Sequence, residues 1–129
     1  MKLYVADTHA LFWYLSRSKQ LGIAAFEAFE SARRGEARIV IPAIVVAELY
    51  YLNQKLRTLD FSEVFARLAK AQMFLLEPFL PEHVLEFGEL RAKLDIHDCM
   101  IVCTTIRLRA TAISQDFEFA DVPGLDLVW

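Results

Sequence analysis

The 129-residue sequence contains little cysteine, glycine or proline, and each scarcity excludes a class of protein. Only two cysteines, four glycines and four prolines are present. Two cysteines cannot form the disulfide framework of a small secreted domain. Cys99 and Cys103 lie four residues apart in an apolar, helix-like segment with no flanking metal ligands, which predicts small buried side chains. We find no repeat, low-complexity tract or flexible linker.

Long apolar runs are also missing from the sequence. No segment reaches the 18 or so uninterrupted apolar residues that a membrane-spanning helix needs. A single lysine precedes the first apolar run, and Asp7 interrupts that run, which is not typical of a signal peptide. These features predict a cytoplasmic protein that does not bind a membrane.

An excess of positive charge is absent as well. The chain carries 14 Lys and Arg against 17 Asp and Glu, giving a formal net charge of −3. Its overall electrostatics therefore do not indicate nucleic-acid binding. Small basic clusters, such as the one at Arg33 and Arg34, are typical of a solvated surface.

The apolar residues, 56% of the sequence, alternate between short runs and longer helical patterns. The length predicts one domain spanning residues 1–129. Strand-like runs cover residues 3–6, 38–41, 73–76, 111–114 and 125–128, and helical patterns cover residues 8–15, 21–34, 60–72, 81–93 and 96–109, with one more after Pro42. This alternation predicts a three-layer α/β/α sandwich around a central, mainly parallel five-stranded sheet.

Four acidic residues fall at one edge of this predicted sheet. Asp7 follows the first strand, and Asp116 follows the fourth. Glu48 lies near the start of the helix after the second strand, and Asp98 opens the helix that leads to the fourth. Ligands bind outside the carboxyl ends of the strands in folds of this kind, so the placement of the acids predicts a site.

Two of these acids also lie beside apolar residues. Glu48 has Ile44 and Leu52 one turn before and after it, and Asp98 shares its helix face with Ile101 and Val102. A carboxylate facing an apolar layer is costly unless it is compensated. Each acid alone is compatible with a helix cap, and Asp98 also suits the positive end of a helix dipole.

The four carboxylates together favour a metal site, because they repel one another and no Lys or Arg close in sequence neutralises them. Ligands that are all oxygen select Mg²⁺ or Mn²⁺ over zinc. Such an ion lowers the pKa of a bound water and neutralises a phosphodiester in the transition state. The implied reaction is metal-assisted hydrolysis of a phosphodiester.

Four segments together resemble the PIN domain family, and within it the VapC-type toxins of type II toxin–antitoxin pairs. They are "VADTHALFWYL", "PAIVVAELYYL", "LDIHDCMIVCTT" and "AISQDFEF". The resemblance implies a metal-dependent ribonuclease that acts on RNA, uses Mg²⁺ or Mn²⁺, forms a homodimer and is inhibited by a cognate antitoxin. It places catalytic and metal-binding roles on Asp7, Glu48, Asp98 and Asp116, and supporting hydroxyls at Thr8 and Ser114.

Other interpretations compete with this one. A haloacid-dehalogenase-type phosphatase needs a second Asp two residues after its nucleophile, and His9 occupies that position here. A PIN-like module that binds RNA or protein without cutting it is also compatible with the pattern. His9 and His97 flank the acids and suit pocket lining or RNA contact better than general-base catalysis. Tyr50 and Tyr51 cannot both point inward, so at least one is available to a partner.

Overall fold

A computed structural model describes all residues from Met1 to Trp129 and contains one five-stranded sheet. The order across the sheet is β3-β2-β1-β4-β5, and every neighbouring pair is parallel. The strands are β1 (Lys2–Ala6), β2 (Ala37–Pro42), β3 (Phe74–Glu77), β4 (Thr111–Ile113) and β5 (Asp126–Val128). The five predicted strands are therefore confirmed, and the sheet is entirely parallel rather than mainly so.

Six α-helices and one 3₁₀ helix connect the strands. The α-helices are α1 (Thr8–Leu15), α2 (Ile23–Arg33), α3 (Ala43–Leu56), α4 (Phe61–Lys70), α5 (Ile96–Arg107) and α6 (Phe117–Ala120). The helix predicted over residues 81–93 is instead the 3₁₀ helix Pro81–Glu89, none of whose residues is buried. Its apolar residues Val84, Leu85 and Phe87 are not fully buried, so this segment gains little packing energy from forming a regular α-helix. None of the helices has the length and apolar character needed to cross a bilayer.

The central strands β1 and β2 each contain consecutive buried residues, so the sheet is covered on both faces. Ile39, Val40 and Ile41 of β2 have no solvent exposure, and neither do Val5 and Ala6 of β1. Because neighbouring side chains of a strand point to opposite faces, burial of both requires a layer of helices on each side. The predicted three-layer α/β/α architecture is confirmed.

Two helix ends follow the local sequence rules. The Asp95 side chain accepts a hydrogen bond from the Asp98 N–H at 2.8 Å and caps α5. After α2, Gly35 adopts a left-handed backbone with a φ of +82°, a conformation that glycine tolerates without strain.

The chain changes direction across the sheet at β1, which lies between β2 and β4. The first crossover leads from β1 to β2 on one side, and β4 pairs with β1 on the other. A crevice forms outside the carboxyl ends of the strands at such a switch point. Asp7 and Ser114 directly follow β1 and β4, so they lie at this crevice.

At the end of the chain, Trp129 packs back onto earlier residues. Its indole ring meets that of Trp13 edge to face, with the ring centroids 5.6 Å apart. A Cβ atom added to Gly22 would lie only 2.6 Å from the carbonyl carbon of Trp129. Gly22 therefore lacks a side chain for a physical reason, which is the close approach of Trp129.

Candidate active site

A cleft of about 560 Å³ opens at the carboxyl edge of the sheet and is lined by 13 residues. All four acids predicted from the sequence line this cleft, on four different elements of the chain. They are Asp7, Glu48, Asp98 and Asp116. The structure thus brings together side chains that are up to 109 residues apart in the sequence.

Asp7 joins the sheet to helix α1. Its N–H donates to the Ile113 carbonyl at 3.1 Å, and its Oδ1 accepts from the Ala10 N–H at 2.8 Å, which caps α1. Burial raises the pKa of the Asp7 carboxyl, while hydrogen bonds from the Ser114 hydroxyl and the Ala10 N–H act in the opposite direction. Asp7 therefore caps a helix and lines the cleft at the same time.

Glu48 is held in place by two partners. The Thr8 hydroxyl donates to Glu48 Oε1 at 2.9 Å, and His97 Nδ1 lies 3.3 Å from Glu48 Oε2. The Thr8 side chain is buried, so its hydroxyl has a fixed position. Thr8, which was predicted as a supporting hydroxyl, therefore contacts Glu48 rather than its neighbour Asp7.

Ser114 connects the acids that follow the two adjacent strands. The residue is buried, and its hydroxyl oxygen accepts a hydrogen bond from the Asp116 N–H at 3.0 Å. The same hydroxyl hydrogen-bonds to the Asp7 carboxylate and partly offsets the rise in its pKa that burial causes. One side chain therefore fixes the positions of both Asp7 and Asp116 at the switch point.

A fifth acid, Glu118, was not predicted from the sequence and lies beside two of the predicted four. Carboxylate oxygens of Asp98, Asp116 and Glu118 all lie within 4.8 Å of one another. Glu118 is the second residue of α6, and its N–H donates to Asp116 Oδ1 at 2.9 Å. The sequence signal for Glu118 was its position two residues after Asp116 at the start of a short helix.

The environment of Asp98 disfavours its charged form. Burial, followed by the negative charges of neighbouring carboxylates, raises the pKa of Asp98 to about 6. The contributing neighbours are Asp95, Asp116, Glu118 and Glu48. The acids at this edge therefore repel one another, as the sequence predicted.

The raised pKa of Asp98 predicts a pH dependence of the stability of the metal-free protein. The folded chain holds the Asp98 proton more tightly than the unfolded chain does. Protonation of Asp98 therefore contributes fully to the stability of the fold below pH 4, and this contribution is lost as the pH rises through about 6. We compare the free energy of unfolding of the unsubstituted protein with that of Asp98→Asn. The first minus the second is expected to fall by about 1 kcal/mol from pH 4 to 7, allowing for solvent screening.

Urea unfolding in EDTA at several pH values measures this difference. Asp126→Asn, a change at an exposed acid on β5, serves as the control and should show no such trend. A difference between the protein and Asp98→Asn that is constant from pH 4 to 7 would contradict the prediction.

Three nitrogen-bearing side chains also belong to the lining of the cleft. His9, Lys55 and His97 line it together with the acids. Lys55 is seven residues after Glu48 on α3 and makes no ion pair. No Lys or Arg lies close to the acids in the sequence, but helix α3 carries Lys55 into the same cleft.

Comparison with known proteins gives the family of the chain. The sequence profile of the PIN domain matches residues 4–125. A search among curated proteins found no match. VapBC2 from Rickettsia felis, solved with a DNA fragment from its promoter, has a similar structure, with a TM-score of 0.70, 22% identity and coverage of 98% of each chain.

Two further structures share the fold. A toxin–antitoxin complex from Klebsiella pneumoniae has a TM-score of 0.69 and 20% identity, covering all of this chain and 97% of the other. The PIN domain endonuclease Utp24 has a TM-score of 0.53 and 18% identity, covering 97% of this chain and 82% of that one. The profile match over almost the whole sequence decides against the phosphatase interpretation. The chain belongs to the PIN domain family.

Proposed function

We propose that this protein is an endoribonuclease that depends on Mg²⁺ or Mn²⁺ and acts as the toxin of a type II toxin–antitoxin pair. The observation that carries the proposal is the convergence of four carboxylates around one cleft at the switch point of the sheet, with a fifth beside two of them. The four are Asp7, Glu48, Asp98 and Asp116, and the fifth is Glu118. Membership of the PIN domain family, which includes an endonuclease among the similar structures, supports hydrolysis of a phosphodiester.

The donor set fits a hard divalent cation. Asp98, Asp116 and Glu118 offer only oxygen atoms, close enough together to share one ion. We assign direct contact with the metal to Asp7, Asp98 and Asp116, with Glu118 beside them. Glu48 acts as a further ligand or orients the attacking water. A divalent cation at this position supplies positive charge to the phosphodiester and lowers the pKa of a nearby water.

The remaining groups of the site fix these carboxylates in place. Thr8 and His97 hold the two oxygens of Glu48, so its carboxylate keeps one orientation while substrate enters. Ser114 and the Ala10 N–H do the same for Asp7. Such supporting contacts keep the acids in position without spending binding energy on reorganisation during the reaction.

The proposed partners are a cognate antitoxin and a second copy of the chain. Two of the similar structures are a VapBC pair and a toxin–antitoxin complex, and both extend over nearly the whole of this chain. An antitoxin that covers the cleft would block access to the acids. Purification of the protein together with the product of an adjacent small reading frame, followed by mass determination of the complex, tests this part of the proposal.

The proposed activity predicts cleavage of RNA only when a divalent metal is present. We expect the purified protein to shorten a fluorescent single-stranded RNA in Mg²⁺ or Mn²⁺, and cleavage to fall to background in EDTA and to return when excess metal is added. A single-stranded DNA of the same sequence serves as the comparison substrate. Cleavage that persists in EDTA, or RNA that is bound but not cut with either metal, would contradict the proposal and favour the non-catalytic interpretation.

A further inference from the structure

One face of helix α3 forms a continuous wall of the cleft beyond the acidic residues. The cleft-lining residues of α3 recur at intervals of three and four, which places them on one side of the helix. They are Ile44, Ala47, Glu48, Tyr51, Leu52 and Lys55. With a rise of 1.5 Å per residue, this wall extends about 10 Å past Glu48 to Lys55. The site therefore offers a surface longer than the reacting group alone requires.

Tyr51 presents an aromatic ring on this wall. Its side chain is 72% exposed, although large aromatic residues are normally buried to a large extent. The neighbouring Tyr50 ring contacts both the Tyr51 ring, at 5.6 Å between centroids, and the Phe61 ring, at 5.1 Å. The Tyr51 ring is therefore supported by packed aromatic rings but contributes little to the core, so its exposed face can stack on a flat, apolar partner.

Lys55 places a positive charge farther along the same wall. It is the one Lys or Arg among the cleft-lining residues, and none of the ion pairs of the protein includes it. A free ammonium group next to an exposed ring matches the chemistry of a nucleotide, which carries an anionic phosphate and a planar base.

We propose that Tyr51 and Lys55 bind single-stranded RNA and direct it to the acidic site, with Tyr51 stacking on a base and Lys55 contacting a phosphate. The inference rests on the proposed function, because it takes RNA as the substrate. A single strand is required, since a base within a duplex is already stacked and does not offer its face to a side chain. Tyr51 and Lys55 are positioning residues, because they act on the strand away from the reacting phosphodiester.

Binding of a fluorescein-labelled single-stranded oligoribonucleotide tests the proposal directly. The measurement uses fluorescence anisotropy in Mg²⁺ on the Asp98→Asn protein, which keeps the oligonucleotide intact. Adding Tyr51→Ala is expected to raise the dissociation constant at least about fivefold, as loss of one stacked base does. Adding Lys55→Gln is expected to weaken binding and to reduce the slope of log affinity against log salt by about 0.7, the value for one phosphate contact.

Conservative and distant changes separate binding from structural damage. Tyr51→Phe and Lys55→Arg keep the ring and the charge, so they are expected to restore the affinity. Leu56→Ala, at an exposed residue of the same helix outside the cleft, and Lys70→Gln on α4 are expected to leave affinity and salt slope unchanged. In the cleaving protein, Tyr51→Ala and Lys55→Gln are expected to raise KM with little change in kcat.

The outcomes distinguish this inference from the proposed function. If the unsubstituted protein does not cut RNA but the binding differences appear, the proposed activity is wrong and the binding surface is supported. If the unsubstituted protein cuts RNA while Tyr51→Ala and Lys55→Gln leave affinity, salt slope and KM unchanged, the inference is overturned. The exposed Tyr51 ring would then be explained by binding to a protein partner. An oligonucleotide that fails to bind the Asp98→Asn protein at low salt also overturns it.

Discussion

Asp98→Asn is expected to lower the rate of RNA cleavage by more than about a hundredfold while the protein remains folded. Loss of a group that merely supports a metal ligand costs 10- to 100-fold, so loss of a direct ligand should cost more. Asn keeps the shape of Asp98 but removes the charge that a divalent cation needs. Because burial and neighbouring carboxylates already raise the pKa of Asp98, the neutral side chain is expected to stabilise the metal-free fold slightly.

Three measurements check this expectation together. Cleavage rates with saturating Mg²⁺ report activity, thermal unfolding reports the fold, and the rise in Tm on adding Mn²⁺ reports metal binding without reference to activity. The rise in Tm is expected to shrink in Asp98→Asn and to be unchanged in Asp126→Asn. Full activity in Asp98→Asn, together with activity in EDTA, would show that the acidic cluster is not the active site.

Asp7→Asn is expected to remove most of the RNA cleavage without lowering the stability of the fold, whereas an ordinary core mutation lowers stability. Asn at residue 7 can still accept the hydrogen bond from the Ala10 N–H, and it removes a buried carboxylate whose pKa is raised by burial. The free energy of unfolding in EDTA should therefore be unchanged or higher by about 1 kcal/mol. Cleavage with Mg²⁺ is expected to fall more than about a hundredfold, because the proposed metal loses a charged ligand.

Asp7→Ala supplies the matched comparison, since it removes both the charge and the cap. Relative to Asp7→Asn, it is expected to lose about 1 kcal/mol of stability, the usual contribution of a helix N-cap. Urea unfolding in EDTA compares the three proteins. A loss of several kcal/mol in Asp7→Asn would show instead that Asp7 has mainly a structural role and that its charge stabilises the fold.

The edge at which the acids meet was predictable from the sequence for a simple reason. Each of Asp7 and Asp116 comes just after an apolar run short enough to be a buried strand, and parallel strands end at a common edge. Glu48 and Asp98 lie early in helices that start from that edge or near it. The strand order was not needed, because any parallel arrangement of these strands places the acids on the same side.

The contacts within the site were not predictable in the same way. Thr8 follows Asp7 in the sequence, yet its hydroxyl bonds to Glu48, which is 40 residues away. That pairing depends on how α1 packs against α3, which periodicity does not specify. Glu118 was missed because α6 has only four residues, too few for a pattern to show which side chain turns toward Asp98.

Lys55 was also missed as a residue of the site, because it is not close to any of the acids in the sequence. Two helical turns separate it from Glu48, so it does not look like a neighbour in the sequence. The cleft follows α3 for that whole distance, and this makes the lysine part of the site. The segment Pro81–Glu89 was predicted as part of an α-helix and forms a 3₁₀ helix instead. None of its residues is buried, so packing against the core does not favour a regular α-helix there.

The close packing of Trp129 against Gly22 and Trp13 determines where a purification tag is best fused. Trp13 belongs to the helix that Asp7 caps, so residues added after Trp129 would be attached next to that helix and to the carboxyl edge of the sheet. Met1 precedes β1 at the opposite edge and is 82% exposed. A tag placed before Met1 therefore extends into solvent, away from the cleft.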